Sequence, residues 1–150
     1  MPVDVAVTLI LKDNSFLLVY NEKWGTFTLP MTKRKLPENQ ETADEDDCED
    51  WPDAAARPVV ECLGRLSRPT QVLEDFLPES YFSSRRQTPA IYRYKTFKVY
   101  FEDGDQIVAK TPTVWLTASE ILKGDWHPIS QTAKDIIQIQ DILDVLGFAI

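Results

Sequence analysis

The chain has 150 residues, 43% of them hydrophobic and 27% charged, the make-up of a soluble globular protein of one ordinary domain. That composition excludes collagen-like, mucin-like, disulfide-scaffold and wholly disordered chains. The formal net charge is −8 with a pI near 4.6. Nonspecific binding to nucleic acid or to an anionic membrane is therefore not expected, because phosphate surfaces attract cations.

Val5 to Leu11 is a continuous apolar, β-branched run and reads as a buried strand. The opening residues MPVDVAVTLILK carry no basic region or small-residue cleavage site, so a strand is expected there and not a signal peptide. Asp13-Asn14-Ser15 is a turn, and Phe16 to Tyr20 is a second apolar run, giving a hairpin. Trp24 to Pro30 reads as extended, ended by Pro30. The basic triplet Lys33-Arg34-Lys35 follows.

The charge is concentrated next. Glu38, Glu41, Asp44, Glu45, Asp46, Asp47, Glu49, Asp50 and Asp53 are nine acids in a stretch without Lys or Arg. Taking these from −8 leaves +1 for the other 134 residues. An acidic loop insertion at about 36–51 in a nearly neutral domain spanning 1–150 is the expected organisation. It reads as a solvated loop or as a divalent-cation site, since hard cations prefer clustered carboxylates.

A helix is expected between Pro52 and Gly64, where three alanines favour it and Gly64 suits its end. Pro58 either kinks that helix or begins its regular part. One strand is expected around Gln71 to Phe76, and a long one over Ile91 to Phe101. On the long strand Tyr92, Tyr94 and Tyr100 share a face and suit sheet packing. Glu102-Asp103-Gly104-Asp105 is a hairpin turn signal, and Thr113 to Leu116 a further short strand. Thr117 to Glu120 has the capping-box form and opens a short helix. A last helix starts near Pro128 or Ser130, with Ala133, Ile136, Ile137, Gln140, Leu143 and Leu146 at helical spacing and Gly147 at its end. Strands and helices in this order give an α+β protein with helices covering a mixed sheet.

With these elements in place, the chain resembles the Nudix hydrolase superfamily. VAVTLILKDNSFLLVYNEKWGTFTLP is similar to the opening of such a domain, and VWLTASEIL with a terminal helix is similar to its close. The resemblance implies a curved mixed β-sheet sandwiched between α-helices. The family's signature is G-x5-E-x7-R-E-U-x-E-E-x-G-U, where U is bulky and apolar. Ala54 to Gly64 matches its second half, with Arg57, Val59, Glu61 and Gly64 in register, and Glu49 stands at the earlier Glu. The box is degenerate. Pro58 and Cys62 replace two glutamates, Ala43 replaces the first Gly, and Met31-Thr32 follows Leu29-Pro30 where the family has Gly-Gly.

In the family the helix carboxylates bind Mg²⁺ or Mn²⁺, which neutralises a diphosphate and prepares a water. By resemblance Glu61 is the candidate catalytic residue, Glu61 and Glu49 the candidate metal ligands, and Arg57 a brace paired with Glu49. Cys62 is soft for Mg²⁺ and reads as a small buried residue. Trp24 and Phe27 are candidates for stacking on a base, with core packing as the competing role. Lys33, Arg34 and Lys35 are candidates for phosphate contact and Arg85 for substrate contact; the Lys33–Lys35 triplet could equally pair with the acidic run. His127 has no neighbour that makes a triad, and reads as structural.

Two functions of different class follow. One is a Nudix-fold domain that binds a nucleotide-like small molecule or a protein with weak or no hydrolysis. The other is an active Mg- or Mn-dependent pyrophosphohydrolase that cleaves a nucleoside diphosphate linked to another moiety. A cytoplasmic location and no nucleic-acid or membrane partner are expected for either.

Overall fold

The computed structural model describes residues 3–35, 48–76, 81–82, 89–90, 92–124 and 127–138. Strand β1 (Val3–Lys12) turns through Asp13 and Asn14 into β2 (Ser15–Asn21). Their hairpin pairs Leu11 with Phe16 and Lys12 with Ser15. Asp13 adopts φ 54°, a left-handed conformation that a short polar side chain tolerates better than most.

Strand β3 (Thr26–Thr28) pairs with β2, and β4 (Met31–Lys33) pairs with β1. Pro30 lies at this change of partner. Its missing N–H suits the gap, while its carbonyl accepts the Thr8 N–H at 2.9 Å. The chain thus re-enters the sheet just after the proline, at the strand that carries Lys33.

Helix α1 (Trp51–Leu63) leads to β5 (Thr70–Phe76) and then a small pair, β6 (Tyr81–Phe82) with β7 (Pro89–Ala90). Strand β8 (Tyr92–Tyr100) lies parallel to β1 over nine residue pairs, Val3–Tyr92 through Leu11–Tyr100. A parallel pair needs a long crossover, and the segment between β1 and β8 contains α1. Strand β9 (Thr113–Thr117), α2 (Ala118–Lys123) and α3 (Gln131–Ile137) complete the order. The main sheet runs β3-β2-β1-β8-β5, with β4 also on β1 and β9 also on β2.

The alternation of β1 sorts its side chains between two layers. Val5, Val7, Leu9 and Leu11 pack with Phe16, Leu18, Ile121, Ala133, Ile136 and Ile137, so α2 and α3 cover one face. Ile10 packs with Val59, Cys62 and Leu63, and Ala6 with Ala54 and Ala55, so α1 covers the other. A mixed sheet between helices is the expected α+β arrangement, and β1, buried on both faces, reads as one apolar run for that reason.

Helix α1 is continuous through Pro58, so the proline does not begin the regular part. The side chain of Pro58 is buried, and Gly64 at φ 69° caps the end with its N–H on the Val60 carbonyl. The small residues Ala6, Ala54 and Ala55 let α1 approach the sheet closely. The buried Thr8 hydroxyl can then donate to the Ala55 carbonyl at 2.7 Å. That carbonyl is one residue from Ala54, whose usual N–H partner Pro58 lacks.

The turn at residues 102–105 forms, but it closes no hairpin. Asp105 N–H donates to the Glu102 carbonyl at 3.0 Å, yet the next strand, β9, pairs with β2 and not with β8. The Asp105 carboxylate is engaged by Arg65, beyond the end of α1, so the chain is drawn across that end. The capping box at Thr117 and Glu120 forms as expected. Ser130 caps α3, whose described part bears out Ala133, Ile136 and Ile137 as buried. Gln140, Leu143, Leu146 and Gly147 lie outside the described residues. No helix among the described residues is long and apolar enough to cross a membrane.

Candidate functional site

The site builds outward from Arg57, on the outer side of α1. Its Nη2 donates to Glu49 Oε1 at 2.6 Å and to the Lys33 carbonyl at 2.7 Å. The same Glu49 oxygen accepts the Lys35 N–H at 2.9 Å. Glu49 N–H in turn donates to the Lys35 carbonyl at 2.9 Å. One arginine therefore ties the helix to β4 and to the residues that precede α1. The pairing of Arg57 with Glu49 that the resemblance implies is present as an ion pair. Charge-assisted bonds of this length are stronger than neutral ones.

The two sides of α1 differ sharply. Ala54, Ala55, Pro58, Val59, Cys62 and Leu63 are buried, while Val60 and Glu61 are exposed. Arg57 and Glu61 are four apart and share the outer side. Burial, with Glu61 nearby, pushes the Cys62 thiol up to about 11. A buried, soft thiol suits a hard cation such as Mg²⁺ or Mn²⁺ poorly.

These donors can be tested against a Mg²⁺ or Mn²⁺ centre. Such a centre needs several oxygen ligands converging on one point. Proline supplies none, Cys62 is a buried thiol, and one Glu49 oxygen is held by Arg57 and Lys35. That leaves Glu61 as the exposed carboxylate of the matched segment. Among the described residues, no three His, Cys, Asp or Glu side chains gather as a metal site. The described residues do not fit a multi-metal centre. Asp44, Glu45, Asp46 and Asp47 lie outside them.

The aromatic and basic candidates separate. Trp24 is 52% exposed on the turn between β2 and β3, its N–H donating to Asn21 Oδ1 at 3.1 Å. Phe27 is half-buried and packs against the α2–α3 core. Its ring meets Tyr20 at 5.3 Å and His127 at 5.2 Å, both edge-on. Its backbone is held by Pro128 and Ser130. Phe27 thus serves packing, and Trp24 is the open aromatic of the two. Lys33 is exposed beside the Arg57 brace. Arg85 lies outside the described residues.

Sequence reasoning missed a buried ionic cluster under the N-terminal end of α1. Asp4 accepts Arg34 Nη2 at 2.8 Å, Arg93 Nε at 2.6 Å and Arg93 Nη2 at 2.8 Å. Trp51 lies between Arg34, 4.7 Å from its ring centre, and Lys95, at 4.8 Å. The available signal was Asp4 itself, an acid at the mouth of an apolar strand, which needs a cation if buried. Arg34 is therefore no phosphate contact, although Lys33 and Lys35 beside it are exposed.

No family model matches the chain, and no curated relative matches it significantly. Solved structures do. A MutT Nudix hydrolase from Burkholderia pseudomallei is similar with a TM-score of 0.61 and 14% identity, over 92% of this chain and 97% of that one. The Nudix domain of Shewanella oneidensis NrtR, complexed with ADP ribose, has a TM-score of 0.59 and 16% identity, over 97% of this chain and 89% of that one. A bifunctional NMN adenylyltransferase/ADP ribose pyrophosphatase from Francisella tularensis, complexed with AMP and Mn ion, has a TM-score of 0.59 and 14% identity, over 93% of this chain and 41% of that one. The chain has the Nudix fold.

Proposed function

We propose that this chain is a Nudix-fold domain with a degenerate box that binds a nucleotide-like ligand, with weak or no hydrolysis. The observation that carries the reading is the composition of α1. Where the signature has three glutamates, the helix has a buried proline, an exposed Glu61 and a buried thiol. One carboxylate can help to hold a hydrated Mg²⁺-nucleotide complex, but it is a poor platform for several metals. The ligand class draws support from the ADP ribose bound by the similar Nudix domain of NrtR. Trp24, Lys33 and, in sequence terms, Arg85 are the residues proposed to meet it; Glu61, the exposed acid of the matched segment, is proposed to help hold a cation.

The test is a turnover and binding panel of nucleoside triphosphates, dinucleotides and nucleotide sugars, ADP ribose included, at millimolar Mg²⁺ or Mn²⁺. No turnover is expected, together with ADP ribose binding that Trp24→Ala weakens. Turnover that disappears in Glu61→Gln would establish the metal-dependent hydrolase instead. No binding of any nucleotide, with none of them turned over, would shift the reading to a protein ligand.

A further inference from the structure

Residues 101–112 form a strap across the C-terminal end of α1. Val108 N–H donates to the Cys62 carbonyl at 2.8 Å, satisfying one of the carbonyls that a helix end leaves open. Arg65 grips Asp105 through Nε at 2.8 Å and Nη2 at 3.0 Å, and Nη2 also reaches the Tyr100 carbonyl at 3.0 Å. Gly64 leaves room for Val108, since a Cβ there would lie 3.3 Å from Val108 Cγ2. Ile107 and Ala109, with Phe101 and Trp115, pack against Ile10, Leu17, Val59, Cys62 and Leu63.

We propose that the 101–112 strap seals the inner edge of α1, so that neither a divalent cation nor a diphosphate reaches position 62. A nucleotide-like ligand is then confined to the outer edge with Arg57 and Glu61, or to the Trp24 turn. This rests on the non-hydrolytic reading for its functional meaning but adds to it. Two missing glutamates could be an open cleft that has lost its ligands. Here the space is part of the core. The helix accommodates Pro58 while Thr8 serves the Ala55 carbonyl, and the backbone of Cys62 is held by the strap. A carboxylate at position 62 would have to enter a desolvated apolar cluster, which is costly for an unpaired charge.

The test is alkylation of Cys62 by iodoacetamide at pH 8.5 in a Cys48→Ser chain, compared with the same chain in urea. Native labelling is expected to be at least about a hundredfold slower than in the unfolded chain, as for a group exposed by opening of a core unit. Asp105→Asn, which weakens the Arg65 grip, should speed native labelling several-fold while leaving far-ultraviolet dichroism unchanged. If that variant unfolds, Arg65→Lys, which keeps the charge and loses the fork, is read in its place. Native labelling within about tenfold of the unfolded rate overturns the seal, because core protection spans far more than that. So does protection that the strap variants leave untouched. Turnover is measured on the same samples. Turnover with Cys62 protected would refute the non-hydrolytic reading alone, and reactive Cys62 without turnover would refute the seal alone.

Discussion

Replacing Asp4 by alanine tests how much the ionic cluster beneath α1 contributes. The Asp4 and Arg34 side chains are 1% and 3% exposed, and that of Arg93 is 42% exposed. Removing the carboxylate takes the Asp4 bond from Arg34 in a desolvated site where its other contacts include the Trp51 ring and the Glu49 carbonyl, neither of them an acid. Breaking a buried pair from one side costs about 3–5 kcal/mol. For a chain of this size each kcal/mol lowers the melting temperature by about 2–4 °C, so a fall of about 6–20 °C is expected. Arg93 is half-exposed but donates twice to the buried Asp4, so Arg93→Ala should cost less than Asp4→Ala, about 1–3 kcal/mol. An Asp4→Leu/Arg34→Met pair, which removes both buried charges together, should recover much of the loss. Urea unfolding followed by far-ultraviolet dichroism measures all three. A cost below about 1 kcal/mol for Asp4→Ala, or equal costs for Asp4→Ala and Arg93→Ala, would refute the reasoning, since taking the acid from a buried arginine should outweigh losing a half-exposed partner.

Thr8→Val should cost about 1–3 kcal/mol, because the Ala55 carbonyl loses a buried donor. Pro58→Ala should stabilise the chain by restoring a helix N–H to the Ala54 carbonyl, which urea unfolding checks. Hydrogen bonding by Arg65, with the Glu102 N–H next, holds the Asp105 carboxyl below its ordinary value of 3.8. A depressed folded value stabilises fully above the ordinary value and less as pH falls through the folded one. Fluorescence of Trp115, against which the strap packs, should therefore change below about pH 3.8, and Asp105→Asn should abolish that component. An unchanged acid profile in the variant would remove Asp105 as its source.

Much of the layer structure could be read from period alone. β1, β2, β8 and the capped α2 announce themselves through apolar runs and the Thr117–Glu120 spacing. What could not be read is which element each strand meets. The 102–105 signal correctly marks a turn, but local turn chemistry carries no information about β2, which takes β9 as its partner. Arg65 decides the direction of the chain there, from 40 residues away in sequence. The candidate site shows the same division. The match of Glu49 and Arg57 to the resembled signature implies their pair, whereas the burial of Arg34 between Asp4 and Trp51 depends on strands far apart in sequence. Phe27 and Trp24 were alike as aromatic candidates until the Pro128–Ser130 segment was found to hold the first.

The brace also bears on where the acidity of the chain is inserted. Lys35 and Glu49 flank residues 36–48, and they are joined by two hydrogen bonds of 2.9 Å, one in each direction. The Glu49 oxygen that accepts from Lys35 is the one that holds Arg57 on α1. The ends of the segment are therefore joined by backbone and brace. Loop-closure entropy rises by only about 0.6 kcal/mol for each doubling of length. A segment joined at this neck can then vary in length and charge while α1 keeps its place on the sheet. The role that fixes Glu49 as the closing residue also commits one of its oxygens. The residue that anchors the acidic stretch is thus held back from acting as a freely placed metal ligand.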